Sequence, residues 1–144
     1  MDLHAIIHSL SRLGSFMQQF QFPIENVENS SLNKLFYLRF ESAISAAKIH
    51  NGWFDESQVR KSIFALSKWL KVEILAPWTS ECIKPDNPQK IALIMAGNIP
   101  LVGFHDFICS LVSGHSVLVK LSSNDKQLLP LISETADPQR YTME

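Results

Sequence analysis

Two short apolar runs, "IALIM" at 91–95 and "SVLVKL" at 116–121, bracket a segment of helical period. That order leaves the chain few options. The link between the runs is far too long for a hairpin, and Phe104, Phe107, Ile108, Leu111 and Val112 paint one helical face within it. A strand, a helix and a second strand in this order make parallel neighbours joined by a right-handed crossover. Residues 90–96 are continuously apolar after Lys90, the pattern of a strand covered on both faces. Gly114 stands where the intervening helix must close in a left-handed residue. Ser123-Asn124-Asp125 can cap a last helix carrying Leu128, Leu129, Leu131 and Ile132. The result is β-α-β-α, an α/β fold. The closing "ETADPQRYTME" shows no strand pattern, so two strands are expected and the sheet reads as incomplete.

The first half is helical. Leu3, Ile6, Ile7, Leu10, Leu13, Met17 and Phe20 recur at three- and four-residue steps, and Pro23 ends the series. A second helix is expected from a cap at Ser30 or Ser31, with Leu35, Leu38, Ile44 and Ala47 on its inner face and Asn51-Gly52 at its end. Asp55 followed by Gln58 marks the start of a third helix, which would bury Val59, Ile63, Phe64, Leu66, Trp69 and Leu70. Helical character fades in "LAPWTSECIKPDNPQK", where three prolines and an Asp86-Asn87-Pro88 turn set the best boundary. The reading is therefore a helical segment over 1–80, a linker over 81–89, and an α/β unit over 90–144.

Composition narrows the function classes. With 144 residues, 46% hydrophobic and 19% charged, the chain can build a core without staples. Its net charge of −1 and lack of a basic stripe argue against nucleic acid as partner. The longest apolar stretch is broken by Asn98 and Pro100, so no membrane span is expected. Two cysteines without a CxxC spacing, and an N-terminus without a basic leader, fit a reducing cytoplasm.

Several chemically suggestive residues have plain structural explanations. Cys109 in mid-helix and Cys82 in the boundary loop read as structural thiols. His105 and Asp106 are adjacent on a helix and point about 100° apart, which does not make a chelate with each other or with His115. Asp106 suits the helix start as a charge or cap. Gly97 and Gly103 lack the GxGxxG spacing and suit tight turns or close packing. Trp53, Trp69 and Trp78 are expected to anchor the helical core. Asn98, taken alone, would cap a helix starting near Leu101.

In open α/β sheets ligands bind beyond the carboxyl ends of the strands, and Asn98 and the 120–123 segment stand at those ends. Here "MAGNIPLVGFHDF", "LVSGH" and "VKLSSNDKQLLP" resemble the aldehyde dehydrogenase superfamily, and within it the acyl-CoA reductase branch that makes fatty aldehyde in bacterial bioluminescence. The resemblance is dense over about 90–132 and diffuse before it. It implies a helical N-terminal layer followed by the first units of a Rossmann-like cofactor domain. It also implies that Asn98 donates to the oxyanion formed when a thiolate attacks a carbonyl, a contribution of about 2.7–4 kcal/mol for one preorganised donor. Lys120 would contact the adenosine ribose of a nicotinamide cofactor, with Ser122 and Ser123 beside it. NAD-using relatives carry a Glu at the position of Ser123. A carboxylate about 4 Å from a 2′-phosphate would cost roughly 4 kcal/mol at an effective dielectric of 20, so the hydroxyl points to NADPH. Ala96-Gly97 stands where many aldehyde dehydrogenases have Pro-Trp, which suits the reductase branch.

The resemblance also implies that the family's pyrophosphate-binding turn, hydride-positioning residues and nucleophilic cysteine lie downstream of the matched segment. Three readings follow. The chain is the N-terminal portion of an NADPH-dependent acyl-CoA reductase, inactive alone, with acyl-CoA as substrate of the complete enzyme. Or it is a binding module whose unpaired strand edge recruits a second copy or a complementary C-terminal segment. Or it is an inert truncated product.

Overall fold

The computed structural model describes residues 3–83, 85–136 and 141–143. Helix α1 (Leu3–Gln18) runs into a single 3-10 turn at Gln19–Gln21. Helix α2 (Leu38–His50) is preceded by a π-helical turn, Asn33–Tyr37. Ser30 begins this segment, its hydroxyl accepting the Asn33 N–H at 3.2 Å. The wide turn shifts the helical phase, and the expected inner face is corrected accordingly: Leu35 and Leu38 are 66% and 76% exposed, while Tyr37, Phe40, Ala43, Ile44 and Ala47 are buried. Helix α3 (Glu56–Trp69) starts as its sequence asks, with the Asp55 carboxylate accepting the Ser57 N–H at 2.8 Å.

Helix α4 (Val72–Thr79) occupies the stretch where the sequence reading ended helical structure. Pro77 lies inside it; its missing N–H forfeits one bond on an exposed turn, and the helix ends two residues later. Leu75 and Thr79 are its buried contacts, Thr79 closing back on the Leu75 carbonyl at 2.7 Å.

The α/β unit follows as β1 (Lys90–Ile94), α5 (Phe104–Val112), β2 (Ser116–Lys120) and α6 (Leu128–Ala136). Gly114 takes φ = 82° and closes α5. Strands β1 and β2 pair in parallel, with Lys90 opposite Ser116 and Ile94 opposite Lys120. A third strand, β3 (Tyr141–Met143), pairs in parallel with β2 on its other side, giving the order β1-β2-β3. This corrects the expectation of two strands. Three residues are too few for a periodic signal, and β2 supplies the hydrogen-bonding edge.

One face of the sheet is covered. Val117 and Val119 point into the core shared with α5, while Ser116 and Lys120 are exposed. On β1, Lys90, Ala92 and Ile94 are exposed, Ile94 at 82%. The expectation of a strand buried on both faces is therefore overturned. Among the described residues, buried side chains from all six helices join Val117 and Val119 in one core that runs from Ile6 in α1 to Ile132 in α6.

Candidate functional site

The rim where β1 and β2 end is built by two loops pressed together. The Met95 N–H donates to the Lys120 carbonyl at 3.0 Å, extending the parallel ladder one step beyond β1. Gly97 comes next and lies directly on the loop after β2: a Cβ built there would collide with the Ser122 side chain. Glycine is required here by close approach, not by an unusual φ. Ser122 is itself held in a tight turn, its hydroxyl accepting the Asn124 N–H at 3.2 Å and its carbonyl accepting the Asp125 N–H at the same distance. Gly103 also packs closely, but against the flexible end of Met95, which would have to shift to admit a Cβ.

Asn51 fixes this rim from the helical half. It is buried, donates its side-chain N–H to the Gly97 carbonyl at 3.1 Å, and accepts the Trp53 N–H at 3.1 Å. The sequence reading gave Asn51 only a helix-ending role. Its one legible signal is an amide, where a glycine would serve, at the end of a helix.

Asp125 locks the two loops from the other side. Its carboxylate accepts the Leu101 N–H at 3.1 Å and also the Leu128 N–H that opens α6. Leu101 sits at φ = 60°, a left-handed conformation that costs a branched residue roughly 1–2 kcal/mol. The Asp125 bond and the burial of the Leu101 side chain hold it there. Burial raises the Asp125 pKa, against the two backbone hydrogen bonds that lower it. Its ionisation is therefore disfavoured by folding, so its contribution to stability is fullest at low pH and is lost as pH rises through the raised value. Asp125→Asn is expected to remove that slope. In urea titrations taken from neutrality into the carboxylate range, the wild-type chain should gain relative to the variant as pH falls; the opposite sign would contradict the account.

The predicted site residues stand as follows. Asn98 is exposed four residues beyond β1 and does not cap α5, whose N-cap is Gly103 without a side-chain bond. Lys120 ends β2 on the open face of the sheet, opposite Ile94, and none of the ion pairs among the described residues engages it. Ser122 is half-buried against Gly97 and Ser123 is exposed. Since the strands are parallel, Asn98 and the Lys120–Ser123 loop belong to one rim.

Other suggestive groups are not brought to this rim. Cys109 lies one turn from His105, its sulfur 3.7 Å from either ring nitrogen. Burial and then the Asp106 charge push the thiol's pKa up, which disfavours a nucleophilic thiolate. His105 and Asp106 approach to 3.8 Å, and among the described residues no group of three His, Cys, Asp or Glu side chains could hold a metal. The tryptophans are a correction. Trp53 is 83% exposed, and Trp69 and Trp78 are about half exposed. Phenylalanines fill the core instead, having no N–H to satisfy in a dry interior.

No protein-family profile, curated protein or solved structure matches this chain.

Proposed function

We propose that this chain is the N-terminal portion of an NADPH-dependent acyl-CoA reductase, supplying an oxyanion donor and the grip on the cofactor's adenosine ribose. The observation that supports it most is the shared rim. Two parallel strands in register deliver an exposed amide, Asn98, and an exposed ammonium, Lys120, to the same carboxyl-terminal edge. Asn98 is not used as a helix cap, which leaves its N–H groups available to an oxyanion.

Lys120, Ser122 and Ser123 would hold the phosphorylated adenosine ribose, Lys120 as a cation and the serines as hydroxyl partners. The fit rests on the loop itself: Gly97 clears the space above Ser122, and the Ser122–Asp125 turn holds the hydroxyls at the strand end. When bound, NADPH supplies hydride. In the complete enzyme a thiolate from outside this chain would displace coenzyme A from the acyl thioester, and Asn98 would stabilise the oxyanion as that bond forms.

Calorimetric titration of this chain with NADPH and NADH tests the cofactor assignment. NADPH should bind at least tenfold more tightly, the scale of one charge-assisted hydrogen bond. Lys120→Ala should erase the preference, and Ser123→Glu should reverse it. A preference for NADH in the unmodified chain would defeat the reading.

A second reading, a non-catalytic interaction module, is favoured by the open sheet face carrying Ala92 and Ile94. Concentration-dependent self-association without nucleotide binding would select it.

A further inference from the structure

Helix α2 carries apolar side chains on two faces. Phe40, Ala43, Ile44 and Ala47 point into the core. On the outer face Leu38 and Ile49 are largely exposed, and so is Leu35 in the π-helical turn before it. One exposed leucine needs no explanation, but three large apolar side chains on one helical segment make a patch. Between Leu38 and Ile49 this face consists of Ser42 and Ser45, both exposed. Positions 38, 42, 45 and 49 step by four, three and four, the spacing of a seam between two helices. A groove of about 570 Å³ borders the seam, walled by Ala43 and Ala46 of α2 and by Pro130 and Leu131 of α6. The proposed cofactor rim uses none of these residues.

We propose that this face joins two copies of the chain, which pair through antiparallel α2 helices about a two-fold axis. The face is self-complementary, as a symmetric contact requires. A two-fold passing midway between Ser42 and Ser45 sets Leu38 against Ile49 of the second copy and Ser42 against its Ser45. The small residues let the helices close at the centre while the large ones pack at both ends. The charges agree with the same axis. It brings the exposed Lys48 opposite Glu41 of the second copy, and does so twice; Glu41 stays partly exposed beside Arg60. A parallel pair would give Glu41 no cation, since the position facing it across a parallel seam is Ala46. The π turn adds a separate reason to read the face as used. It swings Leu35 and Leu38 outward, and such breaks in helical regularity cluster at functional sites. From 35 to 49 the seam is about 20 Å long. That is less than the ~800 Å² per partner of a standard interface can occupy, so the dimer is a weak, reversible one.

Sedimentation equilibrium of the full chain should show a monomer–dimer equilibrium with a dissociation constant below about 1 mM. Leu38→Asp and Ile49→Asp should each weaken it at least tenfold. Both positions are exposed, so circular dichroism and thermal unfolding of the variants should stay those of a folded chain. Lys48→Glu should weaken the dimer about fivefold, the scale of two exposed ion pairs. Ile94→Asp, on the open sheet face, should leave it unchanged. Cross-linking checks the register. Chains carrying Ser42→Cys or Ser45→Cys, each with Cys82→Ala and Cys109→Ala, should form more covalent dimer when oxidised as a mixture than either does alone. The proposal is overturned by a chain that stays monomeric up to about 1 mM, or by a dimer that both Leu38→Asp and Ile49→Asp leave intact. Equal cross-linking of mixed and single chains, or a dimer lost in Ile94→Asp, would overturn it as well. Nucleotide binding is a separate matter. A dimer of this kind that ignores 2′,5′-ADP would keep the interface and remove the reductase reading, and a strictly monomeric chain that binds it would do the opposite.

Discussion

Replacing Arg60 with leucine is expected to destabilise the chain by about 3–5 kcal/mol, the cost of stripping one partner from a buried ion pair. The guanidinium is buried between α2 and α3 and donates to four acceptor atoms on three groups at once. Both Glu41 oxygens accept from it, at 3.1 and 2.6 Å, Glu56 accepts from Nε and Nη2 at 3.0 and 2.8 Å, and the Phe20 carbonyl accepts at 3.3 Å. The carboxylates, Glu41 first, hold the guanidinium pKa well above its ordinary value. Leucine would leave Glu41 partly buried and unpaired, and would free the turn that follows α1. Arg39 supplies the contrast. It makes an equally well-formed bidentate pair with Glu134, at 2.8 and 2.7 Å, but both partners are exposed, and Arg39→Leu should cost no more than about 1 kcal/mol. Urea denaturation of the two variants checks the difference. The double variant Arg60→Met with Glu41→Gln should recover much of the loss, since no buried charge is then left alone. Equal losses from Arg39→Leu and Arg60→Leu would refute the assignment of Arg60 as the node of the helical layer.

Phe20→Ala is expected to cost about 3–5 kcal/mol as well, through a different mechanism. Phe20 is fully buried in the middle of the turn after α1. Its ring meets Phe16 edge-on at 5.2 Å and stacks on Tyr37 at 5.3 Å and Phe40 at 5.0 Å. Truncation removes the transfer energy of the ring, opens a void bordered by rigid aromatics, and forfeits three favourable ring contacts. Those neighbours come from α1, the π-helical turn and α2, so the void cannot close by moving one side chain. Phe20→Leu should lose much less, because volume is largely kept. Thermal unfolding of the pair distinguishes cavity cost from a general intolerance of substitution. If alanine and leucine were equally damaging, the aromatic cluster would not be the centre of this core.

The two variants also show which parts of the fold could be read from residue order. Elements whose burial follows one period were legible: α1, α5 and β2 bury the positions their spacing marks, while α3 buries Val59, Ile63 and Leu70 as read but leaves Phe64 and Leu66 half-buried and Trp69 exposed. The segment 33–50 was legible as a helix but not in its facing. A π turn inserts no glycine or proline, so nothing local announces that Leu35 and Leu38 will turn to solvent while Tyr37 and Phe40 turn inward. Helix α4 was lost because Pro77 reads as a breaker, yet a proline near the end of a two-turn helix forfeits little. The apolar run of β1 predicted two covered faces, and one face is open; side-chain type records a preference for burial but not what is present to cover it.

At the rim, Asn98 and Lys120 were legible because strand ends are fixed by the apolar runs before them. Asn51 was not. Its bond to the Gly97 carbonyl spans 46 residues, and a contact made through tertiary packing leaves no trace in local spacing. Asp125 was half legible: its position suits a cap for α6, but its second bond, to the strained Leu101, belongs to another loop. The close approach of Gly97 to Ser122 has the same origin. Residue type alone allowed a turn or tight packing there, and the fold selects packing.

The central claim is that the end of β2 and the loop after it, Lys120, Ser122 and Ser123, grip a phosphorylated adenosine ribose. The most direct measurement is a backbone amide NMR titration of the chain with 2′,5′-ADP, the fragment that carries that phosphate. The account predicts shifts concentrated at residues 120–123 and at Gly97 packed against Ser122, lost in Lys120→Ala. Shifts confined to other surfaces, or none at saturating fragment, would contradict it.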